Sequence, residues 1–178
     1  MRDWRGEDLA RFLEVTNTPA VMQWLGGVMG KEHREGLLGR LRGWDKEYGH
    51  TFWVVERKGD GGHLSGELLG FCGLKRGDLP GGPQGDFEIG WRLREDAWGK
   101  GYAREAARAA LREAFERHRA PHVTALTVQE NTPSWGLMER LGMTRRTDLD
   151  FALKGHDRFP DETIIVYTLM REEWEKQV

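Results

Sequence analysis

A glycine loop between an apolar strand and an alanine-rich helix is the feature that most constrains the fold of this chain. Residues Phe87–Leu93 have the character of a strand, and Trp98-Gly99-Lys100-Gly101-Tyr102-Ala103 leads from it into an amphipathic helix. Gly99 and Gly101 allow the backbone to turn sharply and to approach a ligand without an intervening Cβ. The free amides at the helix start then face an anion, which the positive end of the helix dipole favours. The pattern therefore predicts a phosphate cradle.

Two better-known phosphate loops fit this segment poorly. A dinucleotide-binding fingerprint needs a glycine where Arg104 stands, and a Walker loop needs serine or threonine where Tyr102 stands. A nucleotide-binding protein remains an alternative, although the glycine spacing argues against it.

A second motif follows one helix and one strand later, and the two together resemble a known family. Its residues are Asn131-x-x-Ser134-x-x-x-Met138-Glu139-x-Leu141-Gly142-Met143. The chain resembles the GNAT family, the Gcn5-related N-acetyltransferases, whose pyrophosphate loop usually reads Gln/Arg-x-x-Gly-x-Gly/Ala. Trp98 takes the first place of that loop here. The Trp-Gly-Lys-Gly-Tyr-Ala sequence is especially similar to the branch of ribosomal-protein N-terminal acetyltransferases.

The resemblance implies a fold and an activity. It implies a single domain over residues 1–178 with the GNAT-like acyl-CoA N-acyltransferase fold, a mixed α/β architecture with a central, splayed sheet flanked by helices. Only Arg2-Asp3-Trp4 and Glu7-Asp8 match the family's opening pattern, so either the first strand is truncated or the true start lies upstream. The activity implied is direct transfer of an acetyl group from acetyl-CoA to a primary amine in a ternary complex.

Residues for the acetyl-CoA site follow from the same resemblance. Backbone groups near the end of the strand would pair with the pantetheine arm, the loop amides would hold the pyrophosphate, and Asn131 would bridge to the pantetheine or to an ordered water. The predicted set is Trp91, Arg92, Leu93, Trp98, Gly99, Lys100, Gly101, Tyr102, Ala103, Arg104 and Asn131.

Acetyl transfer to an amine also needs acid–base chemistry, because an alkylammonium is not a nucleophile. Glu88 is the candidate general base or proton relay: it alternates with Phe87 and Ile89, so it is either solvated or in a cleft beside the ligand. Many relatives protonate the leaving thiolate with a tyrosine, and Met138 stands at that position. The acid is then Ser134, a water, or absent, and Met138 is expected in the core.

The residues that contact the acceptor are the hardest to predict from the sequence, because the walls of an acceptor site come from variable loops. The candidates are Trp24, between the first two predicted helices, and His156, Asp157 and Arg158, in a polar loop between the closing strands. The resemblance favours a protein N-terminus, and the same branch includes enzymes for small amines. A catalytically inactive acyl-CoA-binding sensor or structural protein remains the alternative function.

Composition excludes other classes of protein. The chain has 178 residues, a net charge of -2 and a mean hydropathy of -0.67. No basic field indicates nucleic acid, no apolar run is long enough for a membrane span, and no Cys/His cluster has metal-site spacing. We expect a cytoplasmic protein without a metal, whose single cysteine, Cys72, is buried and inert. The oligomeric state is not readable, although homodimers are common in the family.

Periodicity and turn residues predict the order of elements. Thr132 is expected to cap the last helix ahead of Pro133. The predicted helices are Glu7–Thr16, Lys31–Tyr48, Tyr102–His118 and Pro133–Leu141, and the predicted strands are Thr51–Arg57, Leu68–Leu74, Asp86–Arg94, Val123–Val128, Thr144–Leu153 and Thr163–Met170.

Overall fold

The structure, a computed structural model, describes residues 1–154 and 162–177. Within these residues the α-helices are α1 (Asp8–Thr16), α2 (Pro19–Met22), α3 (Lys31–Tyr48), α4 (Tyr102–Arg112), α5 (Thr132–Arg140) and α6 (Arg171–Glu175). The strands are β1 (Phe52–Glu56), β2 (Leu68–Arg76), β3 (Phe87–Leu93), β4 (His122–Val128), β5 (Thr144–Arg145), β6 (Phe151–Leu153) and β7 (Glu162–Met170). None of the helices in the described residues combines the length and apolar character that crossing a bilayer requires.

The strands in the described residues form one mixed sheet. Its order is β1-β2-β3-β4-β7-β5, and β6 pairs with β7 beside that path. Strands β3 and β4 are parallel, with Glu88 opposite Thr124, whereas β1 with β2 and β4 with β7 are antiparallel. The predicted mixed α/β fold is confirmed.

The chain divides into two compact units. The first unit comprises Met1–Gly73 and Trp91–Ala106, and the second comprises Leu74–Gly90 and Ala107–Val178. The core of the first unit gathers apolar side chains from α1, α2, α3, β1, β2 and the segment between α2 and α3: Phe12, Met22, Met29, Leu37, Leu41, Val54, Leu68 and Phe71. Its centre is aromatic, because the Phe71 ring stacks on Phe12 at 5.1 Å and on Phe52 at 4.7 Å between centroids.

The expected first strand is reduced to a single bridge. Arg2 and Val54 exchange two backbone hydrogen bonds, of 3.0 and 2.9 Å, and no longer ladder forms in the described N-terminal residues. The Arg2 side chain then spans to Asp8 and Glu56, each at 2.6 Å. This ion-pair network fixes the start of the chain where a fuller strand is missing.

The second unit is organised around the long β4–β7 ladder, in which every residue of β4 has a partner. The alanine face of α4 allows close packing, since Ala107 and Ala110 are fully buried. Past α4 the chain continues through a π-helical turn, closed by a 3.1 Å bond from the His118 amide to the Glu113 carbonyl. The predicted helix Tyr102–His118 is therefore a shorter α-helix followed by this wider turn.

Three boundaries differ from the sequence predictions for local reasons. Thr132 does not cap α5; it is the first helical residue, because the helical hydrogen bonds begin at the Asn131 carbonyl. The predicted strand Thr144–Leu153 is split into β5 and β6, since the Asp150 carboxylate accepts from the Val166 amide and from Arg145. Strand β2 extends beyond Leu74 to Arg76.

The lone cysteine is buried as predicted. Cys72 lies in β2 with no exposed surface, opposite Trp53 on β1. Burial raises the pKa of its thiol to about 12, so the reactive thiolate is essentially absent at neutral pH.

Candidate active site

The glycine loop has the geometry that its sequence predicts. Gly99 and Gly101 have φ values of 68° and 86°, in the left-handed region, and the space a Cβ would occupy is open at both. The first helical hydrogen bond of α4 runs from the Glu105 amide to the Gly101 carbonyl, at 3.0 Å. The amides of Tyr102, Ala103 and Arg104 therefore have no carbonyl partner within the helix. Open space and free amides together make an anion-binding turn.

The side chain of Tyr102 braces this turn. Its hydroxyl donates to the His63 carbonyl at 3.1 Å and accepts from Arg57 Nε at 3.3 Å. The His63 ring also stacks on the Tyr102 ring, with centroids 6.3 Å apart. The segment between β1 and β2 thus holds the start of α4. Sequence reasoning missed Arg57 and His63, because neither belongs to a motif.

Trp98 anchors the other side of the loop. Its indole Nε1 donates to the Leu93 carbonyl at 3.0 Å, across a short turn formed by Glu95–Ala97. The ring nevertheless remains 48% exposed. The indole N–H of Trp98 therefore fixes the backbone just before Gly99, and the exposed part of its ring forms an apolar surface beside the loop.

Arg92, predicted for the acetyl-CoA site, buries its side chain in the core of the first unit. Its guanidinium carbon lies 4.3 Å from the Phe12 ring centroid and 5.0 Å from that of Phe71. Nη1 also lies 3.3 Å from the Met22 sulfur and 3.9 Å from the Met29 sulfur. We call these five residues the Arg92 cage. Because the residue is 7% exposed, the side chain of Arg92 is not available to a ligand.

Glu88 is buried in an ion pair within the second unit. Its Oε2 lies 3.0 Å from Nζ of Lys75 on β2, and each of the two residues is 8% exposed. Burial raises the pKa of the Glu88 carboxyl, and the Lys75 ammonium opposes that rise. The pKa of Lys75 is also raised, because Glu88 and Asp78 outweigh the effect of burial. Glu88 is therefore not the solvated strand residue that the sequence left open.

Lys75 is a residue that sequence reasoning missed. It follows the apolar run Leu68–Leu74, where a charge at a strand end is commonly taken as solvated. The signal in the sequence was a cation directly after the apolar run, and its partner on the neighbouring strand could not be predicted without the register.

The second motif begins α5 in the second unit. The Asn131 amide nitrogen donates to the Thr127 hydroxyl at 3.0 Å, and among the described residues its side-chain oxygen accepts no hydrogen bond. The Ser134 hydroxyl likewise has no partner in the described part of the chain. Met138 is 1% exposed and belongs to the core, as predicted.

Of the four predicted acceptor residues, the structure describes only Trp24. Trp24 is half-buried between α2 and α3, just before Gly26 and Gly27, whose φ values of 75° and 76° mark a tight turn. His156, Asp157 and Arg158 lie outside the described residues. Across residues 1–154 and 162–177 no three His, Cys, Asp or Glu side chains form a group suited to a metal ion.

Sequence comparisons agree with the loop geometry. Residues 1–144 match the family described as acetyltransferase (GNAT) domain. The uncharacterized N-acetyltransferase YnaD of Bacillus subtilis (strain 168) is 26% identical over 175 residues, which are 98% of this chain and 94% of that protein. The uncharacterized protein YkkB of the same organism is 32% identical over 127 residues, 71% of this chain and 70% of YkkB.

Solved structures share the fold. The acetyltransferase from Agrobacterium tumefaciens str. C58 superposes with a TM-score of 0.75 at 24% identity, covering 94% of this chain and 88% of that one. The spermidine N-acetyltransferase from Vibrio cholerae, solved with CoA and spermine, has a TM-score of 0.74 at 16% identity, covering 98% and 96%. With the family match spanning most of its length, the chain belongs to the GNAT family of acetyl-CoA-dependent N-acetyltransferases.

Proposed function

We propose that this protein transfers the acetyl group of acetyl-CoA directly to a primary amine, in a ternary complex of enzyme, donor and acceptor. The observation that carries the proposal is the turn at Gly99 and Gly101, open at both Cβ positions and followed by the free amides of α4. Such a turn suits the pyrophosphate of the donor. Membership of the GNAT family supports the same reaction.

The donor would be held mainly by backbone. In this proposal the amides from Gly99 to Arg104 bind the pyrophosphate, while the exposed side chain of Lys100 adds positive charge. Backbone groups of Trp91–Leu93 pair with the pantetheine arm and polarise the thioester carbonyl. The unoccupied side-chain oxygen of Asn131 is suited to accept from a pantetheine amide.

Glu88 is the proposed general base. An acceptor ammonium must give up a proton before its nitrogen attacks the thioester carbon, and a carboxyl whose pKa is raised by burial is a better match to that task. The departing CoA thiolate needs a proton or hydrogen bonds, and the Ser134 hydroxyl or a water is the proposed donor. Met138 has no proton to give.

The acceptor is proposed to be the N-terminal amine of a protein, as in the ribosomal-protein branch that the loop sequence resembles, or a small amine. Trp24 is the described candidate for the acceptor wall, and His156, Asp157 and Arg158 remain sequence-based candidates. A homodimer in the cytoplasm is the setting we expect for this reaction.

The donor site is tested by calorimetry with a matched pair of glycine variants. Gly101→Ala and Gly85→Ala both force an alanine into the left-handed region, at φ values of 86° and 75°, and both positions have open space. Each substitution should cost about 1 kcal/mol of folding stability from backbone strain. Only Gly101→Ala should weaken acetyl-CoA binding, by about tenfold for the loss of 1.4 kcal/mol.

Turnover is tested by release of free thiol from acetyl-CoA with a panel of amines and N-terminal peptides, followed by the mass shift of the acceptor. Thiol release coupled to one acceptor supports the proposal. Tight binding of acetyl-CoA without release from any acceptor would instead indicate the inactive sensor. Thermal stabilisation by ATP or NAD and not by acetyl-CoA would contradict the donor assignment.

A further inference from the structure

Two charged side chains are buried against each other in the second unit. Lys75 on β2 and Glu88 on β3 lie with Nζ and Oε2 3.0 Å apart, and both are more than nine-tenths buried. Neither charge would be stable alone at such a depth, because burying an unpaired ion is costly. The charge of Glu88 therefore depends on Lys75.

A third group competes for the same ammonium. Nζ of Lys75 also donates to Oδ1 of Asp78, whose side chain is 57% exposed in the loop after β2. One cation is thus shared between a buried carboxylate and a surface carboxylate. Loss of either partner changes how strongly the ammonium holds the other.

The remaining surroundings of Glu88 in the described residues are neutral or already paired. Across the sheet, its register partner is Thr124 on β4, whose hydroxyl donates to the Phe87 carbonyl at 3.2 Å. Asp86 is paired with His122 on β4 at 2.8 Å. The charged groups that act on Glu88 here are Lys75 from β2 and Asp78 from the following loop.

We propose that Lys75 is a positioning residue whose ammonium, shared between Glu88 and Asp78, sets the pH at which Glu88 becomes an ionised base. This inference rests on the proposed role of Glu88. In the proton step, the acceptor R–NH3⁺ gives H⁺ to the Glu88 carboxylate, leaving R–NH2 with a free electron pair and Glu88 as the neutral acid. Lys75 keeps its proton throughout, and Glu88 later releases the transferred proton to solvent.

Substitutions at the two neighbours of Glu88 should shift its titration in opposite directions. Lys75→Met removes the cation, so the carboxylate loses its compensation and its pKa rises. Asp78→Asn removes a negative charge that raises the Glu88 pKa, so that pKa falls. Lys75→Arg keeps the charge and serves as the conservative control. A purely structural role for Lys75 predicts lost stability in these variants without opposite shifts.

The first measurement is the pH profile of kcat/KM with a saturating acetyl donor. The acid limb should move up by about one pH unit in Lys75→Met, which is the lower end of the effect of one close opposite charge. It should move down by a smaller amount in Asp78→Asn, and Lys75→Arg should stay within about half a unit of wild type.

The second measurement is independent of turnover. Glutamate side chains labelled with carbon-13 are titrated by NMR in the full-length protein without donor or acceptor, and the Glu88 signal is identified by its absence in Glu88→Gln. Its midpoint should shift in the same directions as the acid limb. If the wild type acetylates no amine, the proposed function fails, while this titration still decides whether Lys75 and Asp78 control Glu88.

The inference is overturned if the Glu88 midpoint is the same in Lys75→Met, Asp78→Asn and wild type. It is equally overturned if that midpoint moves while the acid limb of an active enzyme does not, since Glu88 would then not be the group that limits the rate. Asp78→Asn changes a largely exposed side chain, so the test stands even if Lys75→Met does not fold.

Discussion

The two compact units bury charge in contrasting ways. In the first unit, the Arg92 cage surrounds a guanidinium with the faces of Phe12 and Phe71 and the sulfurs of two methionines. In the second unit, Glu88 is buried against an opposite charge on Lys75. The four neighbours of Arg92 in the cage are polarisable and uncharged, whereas the Lys75 partner of Glu88 carries a formal charge.

This contrast separates a charge that titrates from one that does not. A guanidinium keeps its proton at every pH that a protein survives, so Arg92 itself carries the same charge across that range. A buried carboxyl changes its charge within the pH range in which a protein stays folded, and its neighbours determine the pH at which it does so. We therefore propose Glu88 rather than Arg92 for acid–base chemistry, and the Arg92 side chain packs in the core of the first unit.

The largest effect is expected from Glu88→Gln. Turnover should fall by at least about 100-fold, the lower bound for loss of a general base, because glutamine cannot take the acceptor proton. The acetyl-CoA dissociation constant from calorimetry should stay within about twofold, since the proposed donor site is a backbone turn. A turnover that matches wild type across the whole pH range would remove Glu88 from the mechanism and leave the contrast purely structural.

Lys75→Met should show the next largest effect, in the free energy of unfolding. Removing one partner of a buried pair should cost about 3 kcal/mol at pH 8, because the buried Glu88 carboxylate then loses its compensating cation. Burial makes the folded state hold the Glu88 proton more tightly than the unfolded state. Stability therefore falls as pH rises from the unfolded carboxyl value through the higher folded one.

The difference in free energy of unfolding between Lys75→Met and wild type should consequently fall to about 1 kcal/mol or less at pH 4, because a protonated Glu88 no longer needs the cation. Urea unfolding at both pH values measures it. The control is Lys75→Met combined with Glu88→Gln, which should recover most of the loss at pH 8. An equal gap at pH 4 and pH 8 would mean that packing, not charge, explains the pair.

Arg92→Ala should destabilise the first unit by about 2 kcal/mol, because a large buried side chain leaves a cavity and the ring contacts are lost. Arg92→Met fills the same space without the charge and should lose about half as much. The Arg92 guanidinium does not titrate between pH 4 and pH 8, in contrast to the Glu88 carboxyl that Lys75→Met affects. Equal losses for Ala and Met would show that the charge itself stabilises the cage.

The residues best predicted from sequence are those whose signal is local. Helix α3 has its predicted bounds because Leu37 and Leu41 repeat at helical spacing and Gly49, at φ 70°, ends it. The turn at Gly99 and Gly101 could likewise be predicted, since only glycine adopts its left-handed backbone conformation without strain.

The residues that escaped prediction depend on partners far along the chain. Lys75 meets Glu88 through strand register, which a sequence does not display. The family resemblance predicts backbone groups around Arg92 for the donor site, but it does not predict that the Arg92 side chain lies in the core beside Met22 and Phe12. Helix α2 escaped because its length of 4 residues carries no periodicity.

The smallest expected effect isolates one contact of the Arg92 cage. Met22→Leu keeps the side-chain volume and removes the sulfur that lies 3.3 Å from Nη1 of Arg92. A thioether is a weak acceptor, so the loss should be about 1 kcal/mol or less. Met138→Leu is the matched control, because Met138 is buried to the same 1% exposure and contacts no arginine among the described residues. Thermal and urea unfolding of both variants give the difference that belongs to the sulfur–guanidinium contact. Equal losses would mean that the Met22 sulfur only fills space and that its contact with Arg92 adds nothing to the stability of the cage.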